Sequence, residues 1–209
     1  MSAVLHYRIA YPTKVGVYLP ITESVRDPSR ARFILPMTDF HRKDKPLSDE
    51  ELSRFNNRVK FYARPPEGPS DFLSAPKSAE FLVSDRIRST VEELEPGLHQ
   101  FIPMELVAPN AWKRLLVDTQ YYWLNCCTRL EAIDISRSEL VSPVPGSVSL
   151  GRPTDDATIA VKASVVRQHH LWMSVRPIAS GDVFVSESLA EKWRAMDAGP
   201  IELLPCIMV

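Results

Sequence analysis

The chain has 209 residues, 44% of them hydrophobic and 24% charged, with a formal net charge of −1. That composition fits one globular domain, or one with an N-terminal extension, and excludes collagen-like and highly charged disordered chains. The near-zero charge gives no basis for general attraction to nucleic acid or to an anionic membrane. Residues 1–80 carry +3 and residues 81–209 carry −4, a tilt too small to name a partner.

Three cysteines, Cys126, Cys127 and Cys206, make a poor disulfide framework because the count is odd and two are adjacent. Reduced thiols fit better. The first twelve residues lack a basic stretch followed by a long apolar run, so no signal peptide is expected. No apolar stretch reaches the roughly 18 residues that span a bilayer. A cytoplasmic protein with no membrane partner is expected.

In chain order, residues 4–10 and 14–19 predict strands. Residues 20–46 are rich in proline, arginine and aspartate. Ser48 and Glu51 then form a capping box, with Leu47 and Leu52 as its hydrophobic staple. Leu52, Phe55 and Val59 are spaced as the buried stripe of the helix that follows. Residues 64–79 read as a linker.

The most informative segment comes next, because it occurs twice. Residues 81–106 and 183–208 align at an offset of 102, with Val83/Val185, Ser84/Ser186, Gly97/Gly199 and Pro103/Pro205 identical. Each copy opens on a short β-prone run. A serine follows that can cap a helix, then an acidic residue, Asp85 or Glu187, suited to the positive end of the helix dipole. Apolar residues fall at i, i+4 and i+7: Ile87, Val91, Leu94 and Leu189, Trp193, Met196. Each glycine stands where a left-handed residue ends a helix. Each proline lies inside the second strand, which predicts an edge or a bulge there. The unit is strand–Ser–helix–Gly–strand, and a short helix with one apolar stripe needs a sheet to cover.

Between the copies, residues 109–112 predict a turn. Residues 114–118, 120–127 and 130–135 predict strands, and residues 142–158 a long loop. Strands are expected at 158–166 and 170–176. The fold class is α+β: a mostly antiparallel or mixed sheet with few helices.

No catalytic constellation stands out. Cys126, His99 and Asp134 can be drawn as a triad, but Cys126 sits in an apolar strand pattern, where cysteine acts as a small hydrophobe. His169 and His170 are adjacent, so on a strand they face opposite ways and do not share an ion. Asp155 and Asp156 lie in the 142–158 loop and read as solvated carboxylates first, a cation or basic-partner site second. No phosphate-binding glycine loop is present, and no cofactor or metal is expected. The short basic clusters are diluted by acids and make no nucleic-acid track. Trp112 and Trp172, if exposed, suit interface anchors. The enzymatic alternative is a small hydrolase using Cys126 or the Asp155–Asp156 pair; another is a regulatory protein-binding module.

The runs Asp71-Phe72-Leu73, Val83 to Ile87, Pro103 to Leu106, Tyr121 to Asn125, Ile133-Asp134 and Phe184 to Glu187 carry a resemblance. Over residues 68–209 the chain resembles the bacterial immunity proteins of polymorphic and type VI-secreted toxins typified by a myxobacterial member. The resemblance implies a non-enzymatic protein that binds and neutralises a cognate toxin encoded nearby, a nuclease being one candidate. Residues 1–67, with one helix, are expected to pack on that domain. The shared residues have architectural roles, and specificity requires binding surfaces to differ between systems. The contact surface is therefore expected in the 142–158 loop and the proline-rich N-terminal segment, with Arg152, Asp155, Asp156, Trp112 and Trp172 as contact residues.

Overall fold

The computed structural model describes residues 6–10, 17–20, 45–53, 58–62, 70–74, 81–107, 119–141, 152–153, 158–175, 183–199 and 201–209. Its first elements are β1 (His6–Ala10), β2 (Val17–Pro20), α1 (Asp49–Ser53), β3 (Arg58–Tyr62), β4 (Phe72–Ser74), β5 (Phe81–Ser84), α2 (Asp85–Leu94), β6 (Gln100–Val107) and β7 (Tyr121–Asn125). Then come β8 (Arg129–Leu130), a 3-10 turn (Ile135–Arg137), β9 (Leu140–Val141), β10 (Arg152–Pro153), β11 (Ala160–Val161), α3 (Ala163–Val166) and β12 (Leu171–Ser174). β13 (Val183–Ser186), α4 (Glu187–Ala195), β14 (Glu202–Pro205) and β15 (Ile207–Met208) complete the order. With antiparallel and mixed sheets and four α-helices among the described residues, the class is α+β.

Both copies of the repeated unit form. The Ser84 hydroxyl accepts from the Ile87 N–H at 3.4 Å, and that of Ser186 from the Leu189 N–H at 3.3 Å. Gly97 (φ 68°) and Gly199 (φ 90°) both lie in the left-handed region that favours glycine. The agreement extends to the strand beside each cap. The Ser84 N–H donates to the Asp71 carbonyl and the Ser186 N–H to the His170 carbonyl, each at 2.9 Å. The Ser84 hydroxyl also bonds the Asp71 carboxylate, and the Ser186 hydroxyl bonds His170 Nδ1.

The duplication covers far more than those units. β2-β3-β6-β7-β5-β4 close into a barrel. The second half repeats its ring. β14-β1-β13-β12-β8 form one sheet, Ile133 just beyond β8 bridges Val161 of β11, and β11 pairs with β15, which continues β14. Parallel and antiparallel senses match at every step around the two rings. Register matches too: Arg58↔Glu105 and Ala160↔Ile207 are parallel pairs separated by the same offset of 102. Val83 and Pro103 both pair with Tyr122, while Val185 and Pro205 both pair with Tyr7. One permutation separates the halves. The strand between the unit's two strands is β7 in the first ring, which follows the unit, but β1 in the second, from the start of the chain.

Three cores result. Leu73, Leu82, Ile102, Met104, Leu106, Tyr121 and Trp123 form one cluster within the first ring. Trp172, Phe184, Val161, Ile133 and Cys206 form its counterpart in the second. Between them lies a shared core of outward strand residues (Phe72, Val83, Tyr122, Tyr7, Leu171, Val185) and both helix stripes (Ile87, Val91, Leu189, Trp193). The helices run antiparallel across it. The Arg86 guanidinium donates to the Met196 carbonyl at one end, Trp193 Nε1 donates to Thr90 in the middle, and Lys192 pairs with Glu93.

Several sequence expectations need correction. Residues 58–62 are strand β3, so Val59 is not part of a helical stripe; Leu47 and Leu52 pack in the first ring's cluster. The expected linker 64–79 contains β4, whose Phe72 and Leu73 are fully buried. The expected strand 158–166 is a two-residue strand followed by α3, and 130–135 is split between β8, the Ile133 bridge and the 3-10 turn. Phe55, the turn at 109–112 and the strand at 114–118 lie outside the described residues. Pro205 is in an edge strand of its sheet, as expected. Pro103, by contrast, lies in β6, an interior strand between β3 and β7, where it pairs with Tyr122 of β7.

Removal of either cap should expose a helix N-terminus and strand a buried partner. Ser84→Ala and Ser186→Ala are each expected to lower unfolding free energy by about 1–2 kcal/mol in urea titrations. A loss confined to one of them would contradict the equivalence of the two units.

Candidate functional site

One buried group of polar contacts between the two rings converges on Glu95, at the end of α2. Its residue is 6% exposed. One carboxylate oxygen accepts from the His170 N–H at 2.7 Å, the other from the Leu171 N–H at 3.0 Å and from His99 Nε2 at 2.8 Å. His99 Nδ1 in turn accepts from the Cys127 N–H at 3.3 Å. That bond leaves the imidazole proton on Nε2, where it is donated to Glu95. Burial pushes the Glu95 carboxyl pKa up, but the bonds from His99, His170 and Leu171 pull it harder, and the net shift is downward. The residue at the same place in the second unit, Asp197, is exposed and makes no such clamp among the described residues. The clamp is an addition to the duplicated frame, tying α2 of the first ring to β12 of the second.

A second polar group lies nearby, inside the second ring. His6 is fully buried, and its Nδ1 accepts from Trp172 Nε1 at 3.3 Å. It occupies the register position that Tyr121 holds in the first ring. These contacts fix structure rather than present groups to a substrate, because the Glu95 clamp is turned inward. The sequence holds a Glu-x-x-x-His spacing at Glu95 and His99, but no signal for the partner backbone at 170–171.

Those residues singled out in the sequence that are described do not converge. Trp172 is not an exposed anchor: it is fully buried and stacked on Phe184 with ring centroids 4.2 Å apart. Its place in the ring interior follows from the strand alternation that puts Leu171 and Met173 in the shared core. Arg152 lies on β10, paired with Val141 of β9. Asp155, Asp156 and Trp112 lie outside the described residues. Cys126 is buried, and desolvation pushes its thiol up to about 12, which leaves almost no thiolate at neutral pH. His99 is bonded to Glu95, and Asp134 caps the 3-10 turn through Ser136. The drawn triad is therefore not assembled. His169 and His170 precede β12 and take separate partners: His170 bonds Ser186, and His169 Nδ1 stands 4.0 Å from Glu95. Among the described residues no cluster of three or more His, Cys, Asp or Glu is placed to hold a metal. No described helix is long and apolar enough to cross a membrane.

Glu95→Ala leaves two backbone donors and His99 without their acceptor. It is expected to cost about 3–5 kcal/mol in denaturant unfolding. Glu191→Ala, at an exposed position on α4, should cost less than about 0.5 kcal/mol. Similar effects of both would contradict the clamp.

With the geometry in place, comparison with known proteins adds one finding. Comparison with curated proteins gives no match. A model of the immunity protein family (Imm11) matches residues 14–206. The match starts well before residue 68, where the sequence resemblance began, so it takes in β2 and β3, which complete the first ring. The chain belongs to the immunity protein family (Imm11).

Proposed function

We propose that this protein binds one cognate bacterial toxin as an intact folded inhibitor and blocks its active site. The family match over residues 14–206 carries the reading. The toxin is proposed to be encoded beside this chain and delivered by a contact-dependent route such as type VI secretion. Protection would act where the toxin acts, in the cytoplasm of the producing cell, and would require no chemistry from this chain.

The duplicated frame supports a location for the contact. Residues 21–57 join β2 to β3, and residues 134–159 join the Ile133 bridge to β11. These are the same connection in the two rings. The paired strands of the two rings keep register, whereas these two connections differ in length and composition. They contain the proline-rich segment and the 142–158 loop. An interface that must fit one toxin and clash with others is best built on such segments over a rigid support. Arg152, Asp155 and Asp156 are the proposed contacts in the second connection. Trp112, in the connection from β6 to β7, is a further proposed contact.

The test is co-expression of this chain with the product of the adjacent gene, followed by affinity capture. Growth rescue and a stoichiometric complex are expected. Changing Arg152, Asp155 and Asp156 together to alanine should weaken binding at least tenfold without moving the unfolding midpoint. No rescue and no complex would refute the reading. Full binding by the triple variant would move the interface elsewhere.

A further inference from the structure

The two rings place different residues at one equivalent position, and that difference has a consequence in acid. In the first ring, Tyr121 of β7 pairs with Ser84, and its hydroxyl donates to the Ser70 carbonyl at 2.8 Å. In the second ring, His6 of β1 pairs with Ser186. A tyrosine there is neutral throughout the acid range; burial raises the Tyr121 hydroxyl further. A histidine is not.

We propose that His6 makes the second ring acid-labile: its protonation releases β1 from between β13 and β14 while β7 stays in place in the first ring. The geometry demands a neutral imidazole. Nδ1 accepts the indole proton of Trp172, so a proton on Nδ1 would set two donors face to face. Nε2 is buried and makes no full hydrogen bond among the described residues, so little at that end of the ring offsets the cost of burying a charge.

Other ionisable groups also face His6. His170 and His169, from the segment entering β12, disfavour charge on His6. Glu95, from the end of α2, favours it, as does the Val166 carbonyl of α3, the weakest of these influences. Arg8, two residues along β1, shares its face of the strand and is itself buried. Trp172 of β12 meets His6 edge-on and Ser186 of β13 pairs with it, and neither carries charge. Burial first, then His170 and His169, hold the His6 imidazole down at about 4.

The sign follows. A released β1 exposes a histidine of ordinary pKa, near 6.5, which binds a proton that the seated strand rejects. Stability of the seated strand is complete above pH 6.5 and is lost as pH falls toward 4. The opening equilibrium should grow by about tenfold per pH unit in that window. Glu95, whose carboxyl is shifted downward from 4.5, keeps its clamp through most of this range. The release is thus separable from loss of the clamp.

β1 is the element best placed to leave. Residues 11–128 separate it from β8, the next strand of its sheet, so no short connection ties it to its neighbours. Its counterpart β7 is joined to its neighbour β6 by residues 108–120 alone. β1 also supplies Tyr7 and Ile9 to the shared core, so its departure would loosen both the second ring and the middle of the molecule.

The test is native-state hydrogen exchange of the full chain between pH 7.5 and 4.5, corrected for intrinsic exchange rates. The amides of residues 6–10 are followed against those of residues 121–125, which occupy the same slot in the other ring. Protection at 6–10 is expected to fall at least tenfold relative to 121–125 as pH drops from 6.5 to 4.5. His6→Gln and His6→Phe should each abolish that differential. The inference is overturned if both strands lose protection in parallel, or if either folded variant keeps the differential. If neither variant folds, the ratio of the two strands in the unaltered protein decides alone.

Discussion

Everything in this molecule depends on a core that neither half can close by itself. Each ring has an interior of its own, but the outer faces of β5 and β13 and the apolar stripes of α2 and α4 meet in one shared layer. Phe72 of the first ring packs edge-on against Trp193 of the second, with centroids 5.0 Å apart. A fully buried side chain of that size contributes roughly 1.5–3 kcal/mol from removal of apolar surface alone. A separated half would expose the whole layer to water. The two halves therefore behave as a dimer written into one chain, with antiparallel helices at its interface.

That constraint explains which repeat signals are visible in the amino-acid order and which are not. The caps, helix stripes, stop glycines and prolines of 81–106 and 183–208 are local chemistry, and they read correctly. The remaining correspondences are tertiary. Val59-Lys60 and Val161-Lys162 hold the same offset of 102, yet the first pair falls in the i, i+3, i+7 pattern of a helix and the second in an apolar run. β4 is hidden among prolines and polar residues. Strands buried on both faces lose the alternation that marks a half-exposed strand. The displacement of β1 to the start of the chain removes the last cue, because no linear alignment can pair residues 6–10 with 121–125.

The candidate site was less legible for a related reason. Adjacent cysteines and histidines attract chemical readings, but Cys126 is a buried thiol and the histidines are divided among separate partners. Trp172 looks like an anchor in the sequence because nothing local shows that its strand is covered on both sides. Glu95, by contrast, reads as one more acid at a helix end, and only folding brings it to the backbone of 170–171. The conspicuous residues that are described have mostly become structure. Under the proposed reading, the connections at 21–57 and 134–159, which differ between the two rings, carry recognition.

The measurement that tests the duplicated frame most directly is a circular permutation. A chain starting at residue 11, with residues 1–10 placed after Val209 on a flexible linker, gives the second ring the strand order of the first. If the rings are equivalent, this protein folds cooperatively, with an unfolding midpoint near that of the native order and the same pairing of residues 6–10 between β13 and β14. Failure of the permuted chain to fold, or folding with residues 6–10 unpaired, would contradict the account.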